Sequence, residues 1–377
     1  MAESLPEEIL IDILLRVPAE SLVRFKLVCK RWRSLISEPG FAKLHLQRLK
    51  AGDLIPRQRI FIGDDETIDF KTFDANEGCV AVPHKIKTIK SDGNNTNWWQ
   101  IKGSCDGLVC FLVSGIFLIY NPTTREYREL PFSDFEEDCD LLDRNNESFY
   151  GIGYDPRSDD YKIVEGIQEL FDHFWGAAIF SLKSGSWRRI YFPSEELEEI
   201  GFDVGGNGVY WKGALHWHVY GLWDETGILS LDLSEEKFHQ VLLAPKVETD
   251  GQSRPCMNLG IHGTSLFIYS SYGNHVHTWI TDEYGRGGSW TKWFSVDWTN
   301  WFSVNWTNRF SVDPNVSIPL VCTRSGKIIF LINRDQLILF NPEDNTYKDY
   351  PYKDYPYNDF SVEYAIYLET LISPYLF

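Results

Sequence analysis

The sequence has no apolar run long enough to cross a bilayer. Its first residues lack the basic flank, apolar stretch and small-residue cleavage site of a secretory leader. The seven cysteines are an odd number, scattered, with no C-x-x-C, so reduced thiols are expected. In that setting the N-x-S/T sites at Asn94, Asn146, Asn305 and Asn315 carry little weight. Cys105 and Cys110 are too far apart for a zinc-ribbon pair and have no second pair. There is no P-loop, no G-x-G-x-x-G and no G-x-S-x-G elbow. Gly205–Gly208 and Gly285–Gly288 read as turns. His216/His218 and His275/His277 each alternate along a strand, but neither pair has a third ligand at a readable spacing. No catalytic residue, metal site or cofactor is assigned.

Positive charge is scarce: 36 Lys and Arg stand against 54 Asp and Glu, a net charge of −18. Residues 1–50 nevertheless carry +3, from 9 basic and 6 acidic side chains, leaving −21 on the remainder. An acidic body argues against binding a phosphate backbone. It leaves basic protein partners, drawn in by electrostatic steering, or simple solubility. The hydrophobic content of 43% is that of a folded globule, and aromatic content of 15% favours strands.

Helical signals concentrate at the N-terminal end. Ser4 and Glu7 fit a capping box, Pro6 suits a first turn, and Glu7 and Glu8 suit the positive end of a helix dipole. Ile9/Ile13 and Leu10/Leu14 recur at i, i+4 until Pro18 breaks the helix. From Ala19 to Glu38 there is no Gly or Pro, and the spacing puts Leu22, Phe25, Val28, Trp32 and Leu35 on one face. Pro39 and Gly40 stop this run, and Phe41, Leu44 and Leu46 open another short helix. So few residues bury too little surface to stand alone. Two readings follow: a module for a partner, or a helical cap on the chain's own domain.

The run Leu5–Phe41 closely resembles the F-box, through Leu5-Pro6, Ile9-Leu10, Ile13-Leu14, Val17-Pro18, Ser21-Leu22, Arg24-Phe25, Val28-Cys29-Lys30, Trp32-Arg33, Leu35-Ile36 and Phe41. That resemblance implies docking onto the Skp adaptor of an SCF (Skp–cullin–F-box) ubiquitin ligase. It also implies that Leu5, Pro6, Ile9, Leu10, Pro18, Leu22, Val28, Cys29 and Trp32 carry adaptor contact. Some of these must instead hold the helices together.

Beyond a connection at 47–60, short apolar runs bounded by Gly, Asn, Asp and Pro replace helical patterns. A unit of strand, polar turn and aromatic-led return strand recurs at 117–130, 151–164, 178–190, 228–241 and 337–350, with a longer version at 278–293. The return-strand aromatics Trp187, Phe238, Trp290 and Tyr347 fall at intervals of roughly fifty residues, near one propeller blade. A propeller over 61–377 is expected, since it spares many short strands from open edges; the alternative is a large β-sandwich. Two duplications, an eight-residue repeat over 294–315 and KDYPY at 348–352 and 353–357, read as loop insertions.

This part resembles the F-box-associated, kelch-like domain of plant F-box proteins. The resemblance lies in Gly103–Val109, Asn121–Arg125, Gly151–Asp155, Asp160–Val164, Ser186–Arg189, Gly213–Trp217 and Ser289–Lys292. Pollen S-locus F-box proteins share the architecture, but nothing assigns this chain to them. The combination implies a small all-α F-box at 1–46, an all-β kelch-like propeller, and a non-catalytic substrate receptor in the cytoplasm or nucleus. Recognition is expected in the loops 131–150, 192–207 and 244–258. There, apolar Phe135, Leu141, Leu142 and Leu197 stand beside acidic Glu136, Glu137, Glu195, Glu196, Glu198 and Glu199. The same acidic runs also read as plain solvated loop faces. A basic protein partner is therefore expected, with no nucleic acid and no membrane.

Two other classes remain open. A carbohydrate-binding propeller would use Trp98, Trp99, Trp211, Trp217, Trp223, Trp298, Trp301 and Trp306 as stacking faces. A kelch-type oxidase would need a metal set that the sequence does not show.

Overall fold

A computed structural model describes residues 6–52, 57–62, 66–69, 99–133, 146–169, 175–191, 203–220, 226–245, 256–272, 275–283, 290–297, 317–323, 325–332, 336–350 and 364–375. Four helices come first: α1 (Glu7–Leu14), α2 (Ala19–Phe25), α3 (Lys30–Ile36) and α4 (Pro39–Lys50). Pro6 and Pro18 stand just before α1 and α2, and neither helix has a side-chain cap. The capping-box reading is therefore corrected: Glu7 is the first helical residue, and its carboxylate pairs across the module with Arg31 at 3.2 Å. Pro39 opens α4 rather than closing the run before it, because its fixed φ suits a first helical position. That helix continues to Lys50, beyond the expected boundary at 46.

The Gly- and Pro-free run 19–38 is two helices, not one. Cys29 is fully extended between them (φ −159°, ψ 164°), and its sulfur accepts the Trp32 N–H at 3.5 Å. This local cap replaces the helical continuation and turns Val28 outward, away from the face that Leu22 and Leu35 bury.

Among the described residues of the remainder, strands form five antiparallel blades. The first contains Trp99–Cys105, Leu108–Val113, Ile116–Asn121 and Glu126–Glu129. The second contains Asn146–Asp155, Asp160–Glu169, Trp175–Ser181 and Ser186–Tyr191, with Gly206–Asn207 paired in parallel to its first strand. In the third, Asp203–Val204 and Val209–Trp211 both pair with Ala214–Tyr220, followed by Thr226–Asp232 and Lys237–Leu243. The fourth is Cys256–His262, Ser265–Tyr272, His275–Thr281 and Thr291–Asp297; the fifth is Ser317–Cys322, Ile328–Ile332, Gln336–Asn341 and Thr346–Tyr350. A three-stranded sheet joins the two ends of the domain: Gln58–Ile62 lies between Glu66–Asp69 and Tyr364–Leu368, with Ile60 opposite Ile366. Residues 58–60, expected in a connection, therefore belong to a sheet. The innermost strands touch in sequence, 364–368 against 99–105, then 146–155, 209–211, 256–262 and 317–322. This is the propeller arrangement.

One turn recurs between strands. Asn121, Asp155, Asp232 and Asn341 each accept the backbone N–H two residues on, at 2.7–3.2 Å. Four residues after each of these stands a positive φ: Arg125 (63°), Asp159 (55°), Glu236 (54°) and Asn345 (57°). The Asx side chain takes over the backbone donor that the turn frees, which is why Asn or Asp marks these places, followed by Pro in all but Asp232-Leu233. In the second blade's outer turn Ser181 Oγ accepts the N–H three residues on, from Ser184 (3.0 Å), and Gly185 takes the positive φ (70°).

The duplications are corrected in part. Phe294–Asp297 of the first eight-residue copy lies in the fourth blade's outer strand, and Val296 is buried. Lys348–Tyr350 of the first KDYPY likewise lies in the fifth blade's outer strand. The described part of each first copy is strand, not loop. The later copies, 302–315 and 353–357, lie outside the described residues.

Candidate functional site

The helical module has two apolar surfaces. Inward, Leu10, Leu14, Ala19, Leu22, Leu35, Ile36, Phe41, Ala42 and Leu46 form a core continuous with Cys105, Leu108, Leu371 and Ile372 of the β-domain. Outward, Ile9 and Ile13 are 51% and 48% exposed on α1, and Leu27 and Val28 are 83% and 62% exposed at the α2–α3 bend. Helix α1 is therefore apolar on two sides, and among the described residues its second side stays exposed. Exposed Arg24, Lys30, Arg31 and Arg33 surround the bend.

The nine residues expected to contact an adaptor divide accordingly. Pro6, Ile9, Val28 and Cys29 are exposed. Pro18 and Trp32 are half-buried, with the Trp32 ring 5.5 Å from Phe25. Leu10 and Leu22 are core residues that shape the module from within, and Leu5 lies outside the described residues. Ile13 and Leu27 join the outward face although neither was among the residues expected to contact the adaptor. The i, i+4 relation of Ile13 to Ile9 was the available signal; Leu27 had none.

Polar contacts brace the module. Asp12 takes both Arg16 (2.7 Å) and Arg48 (3.0 Å), tying α1 to α4 and holding its carboxyl below the usual range, chiefly through Arg16. A ring nitrogen of buried His45 lies 2.9 Å from the Val17 carbonyl, and burial lowers the His45 pKa.

The module sits on one face of the propeller. Lys50 of α4 reaches Asp106, in the turn after the first inner strand, at 2.7 Å. Lys43 pairs with Asp159, in the corresponding turn of the second blade. From there the turns of that face link sideways. Lys183 Nζ donates to the Ser158 carbonyl (2.9 Å), Ser234 Oγ to Asp155 (2.5 Å), and Trp211 Nε1 to the Thr264 carbonyl (2.7 Å). The inner strands 99–105, 146–155 and 209–211 thus run toward the helices, and their opposite ends mark the far face. The local charge imbalance has a structural use, because basic helix residues meet carboxylates of the acidic domain.

The residues expected to bind substrate (Phe135, Glu136, Glu137, Leu141, Leu142, Glu195, Glu196, Leu197, Glu198 and Glu199) all lie outside the described residues. Two of the tryptophans that motivated sugar binding are core. Trp211 and Trp217 are buried, with indole N–H groups given to the Thr264 and Tyr150 carbonyls. Gly208 passes so close to the Trp217 ring that an added Cβ would stand 2.5 Å from it. Among the described residues no group of three or more His, Cys, Asp or Glu is placed to hold a metal ion. His216 and His218 are buried in the third blade, and burial pushes both down to about 4. His275 and His277 stack on the fourth blade.

Comparison with known proteins agrees with this architecture. The F-box associated beta propeller domain family matches residues 64–373, and the F-box domain family matches residues 3–44. An F-box/kelch-repeat protein of Arabidopsis thaliana is 28% identical, over 98% of this chain and 96% of its own. F-box protein CPR1 of the same plant is 30% identical, over 90% of this chain and 82% of its own.

Proposed function

Because the chain belongs to the F-box associated beta propeller family and opens with an F-box, we propose that it is the substrate-recognition subunit of an SCF-type ubiquitin ligase. The helices hold the Skp adaptor and, through it, the cullin scaffold. The propeller holds a protein to be ubiquitinated. The receptor itself does no bond chemistry; it raises the concentration of its cargo near the conjugating machinery. The observation that carries this reading is the outward face of Ile9, Ile13, Leu27 and Val28, on a module whose own core is already filled by other side chains. Four large apolar side chains held open beside basic residues fit an acidic partner surface with apolar pockets.

The test is Ile9→Asp combined with Val28→Asp. Purified adaptor should no longer co-elute, while thermal unfolding stays unchanged. Retained adaptor binding would sink the assignment. The far face is the proposed place of cargo, because the helices occupy the near one. The net charge of −18 favours a basic protein there, with association that slows as salt rises.

A further inference from the structure

Four parts of the molecule meet at one residue, Asp106. Asp106 lies in the turn Asp106–Gly107 with φ +51°, and is buried. Its carboxylate accepts from Lys50 Nζ of α4 and from the Tyr161 hydroxyl of the second blade (3.1 Å). Its carbonyl accepts from Thr370 Oγ1 of the C-terminal segment at 2.7 Å. Gly107 lets that segment close in: a Cβ there would stand 2.2 Å from Thr370 Oγ1. Asn121 Nδ2 then donates to the Thr370 and Ile372 carbonyls, and Ile372 packs in the core shared with the helices. Tyr161 stays a phenol donor, because burial and then the Asp106 charge raise its pKa.

The apolar core beneath the helices supplies most of the adhesion, but burial of apolar surface has no direction. A charged, buried acceptor does: its bonds fix angle and register, and it is costly to leave unpaired. We propose that Asp106 is a positioning residue, which fixes the orientation of the helices' outward face relative to the propeller. This inference rests on the receptor reading above, since a fixed orientation presents bound cargo to the ligase at one distance and angle. Lys43–Asp159 is its second point of attachment, with Tyr154 donating to Asp159 at 2.6 Å.

The experiment is a dipolar distance measurement in the full chain, with genetically encoded spin labels at exposed Ser34 and Glu343. The native chain should give one narrow distance. Asp106→Asn with Asp159→Asn should lose it to a broad or split distribution, at unchanged melting temperature and unchanged binding of purified Skp adaptor. Asn tolerates the positive φ at both positions, so the turns survive. Lys50→Met, on the exposed helix side, provides a second variant if the double one does not fold; it should also broaden the distance, whereas Lys50→Arg should keep it narrow. A broad distance in the native chain, or a native-like distance in both the folded Asn and the Met variants, overturns the proposal. A narrow native distance in a chain that does not bind the adaptor would sink the receptor reading and leave the positioning role intact.

Discussion

The helical module and the propeller treat apolar surface in opposite ways. In the propeller, large side chains such as Trp217, Phe149 and Phe180 turn inward. Trp217 is 1% exposed, its ring edge-on to Phe149 at 5.3 Å and its N–H given to a backbone carbonyl. In the helices, Ile9 and Ile13 stand in the open although Leu10 and Leu14, one residue along, are buried. A strand has two faces, and a propeller covers both with neighbouring blades. A short helix on the outside of such a body can bury only one stripe. The residues on its other stripe are therefore free to be chosen for a partner, and their apolar character is informative in a way that an apolar blade residue is not.

Substitutions should separate the two regions by size of effect. Trp217→Ala is expected to cost about 3–5 kcal/mol, since it leaves a large cavity and an unpaired Tyr150 carbonyl. Chemical denaturation of the full chain measures this, and a cost below ~1 kcal/mol would show that the ring is not core. Next comes the charged node between the second and third blades. Buried Lys162 holds Asp155 and Glu236, each at 2.7 Å, and the Leu233 carbonyl at 2.5 Å. Burial works against ionised Asp155, yet the bonds from Lys162, Ser158 and Ser234 win and depress its pKa. Lys162→Met should thus destabilise by about 3 kcal/mol, because buried Asp155 loses its cation and Glu236 keeps, among the described residues, only Arg188.

Acid should act on the propeller before it acts on the helices' outward face. His216 and His218 sit near 4 when folded, against 6.5 for the free side chain. The unfolded chain therefore binds protons first as pH falls, so stability present above pH 6.5 is lost progressively from there down to about 4. Melting followed from pH 7 to pH 5 should show a loss on the order of a few kcal/mol, reduced in His216→Gln. Asp155 adds to this only at lower pH, as the pH falls through 3.8 and the unfolded carboxylate protonates while the folded one stays ionised.

The smallest effects mark tolerated surface. Ile9→Asp should change stability by less than about 0.5 kcal/mol, against about 2–5 kcal/mol for Leu14→Ala. Deleting residues 302–309, one copy of the eight-residue repeat, should likewise shift melting little, whereas Val296→Asp in the first copy should unfold the fourth blade. Equal damage from both would show that the copies are not equivalent to an insertion.

Much of this fold was legible in the sequence because hairpins are local. Each proposed strand–turn–strand unit is a hairpin in the structure, and the turns open on the Asn and Asp residues that marked them. Their closing positions were not legible, because the left-handed residue is Arg, Asp, Glu or Asn rather than the Gly that usually signals it. The break between α2 and α3 was hidden for a similar reason: a cysteine sulfur and an extended backbone end the helix without Gly or Pro. At the candidate site the residue types were legible but their directions were not. Which of Ile9 and Leu10 faces out depends on where the β-domain lies, and nothing within the helix states that.

The three-stranded sheet also sets an order in time. Strand 58–62 leaves the ribosome early, but its partner 364–368 follows about three hundred residues later, a wait on the order of tens of seconds at ordinary rates of synthesis. Until then one edge of 58–62 has no native neighbour, and the surface that Leu371 and Ile372 complete beneath the helices is missing. The helices and strand 58–62, made before the blades, are thus among the last elements to be secured. A nascent chain arrested before residue 364 should stay open to protease between the helices and the first blade, and release of the full chain should close that site.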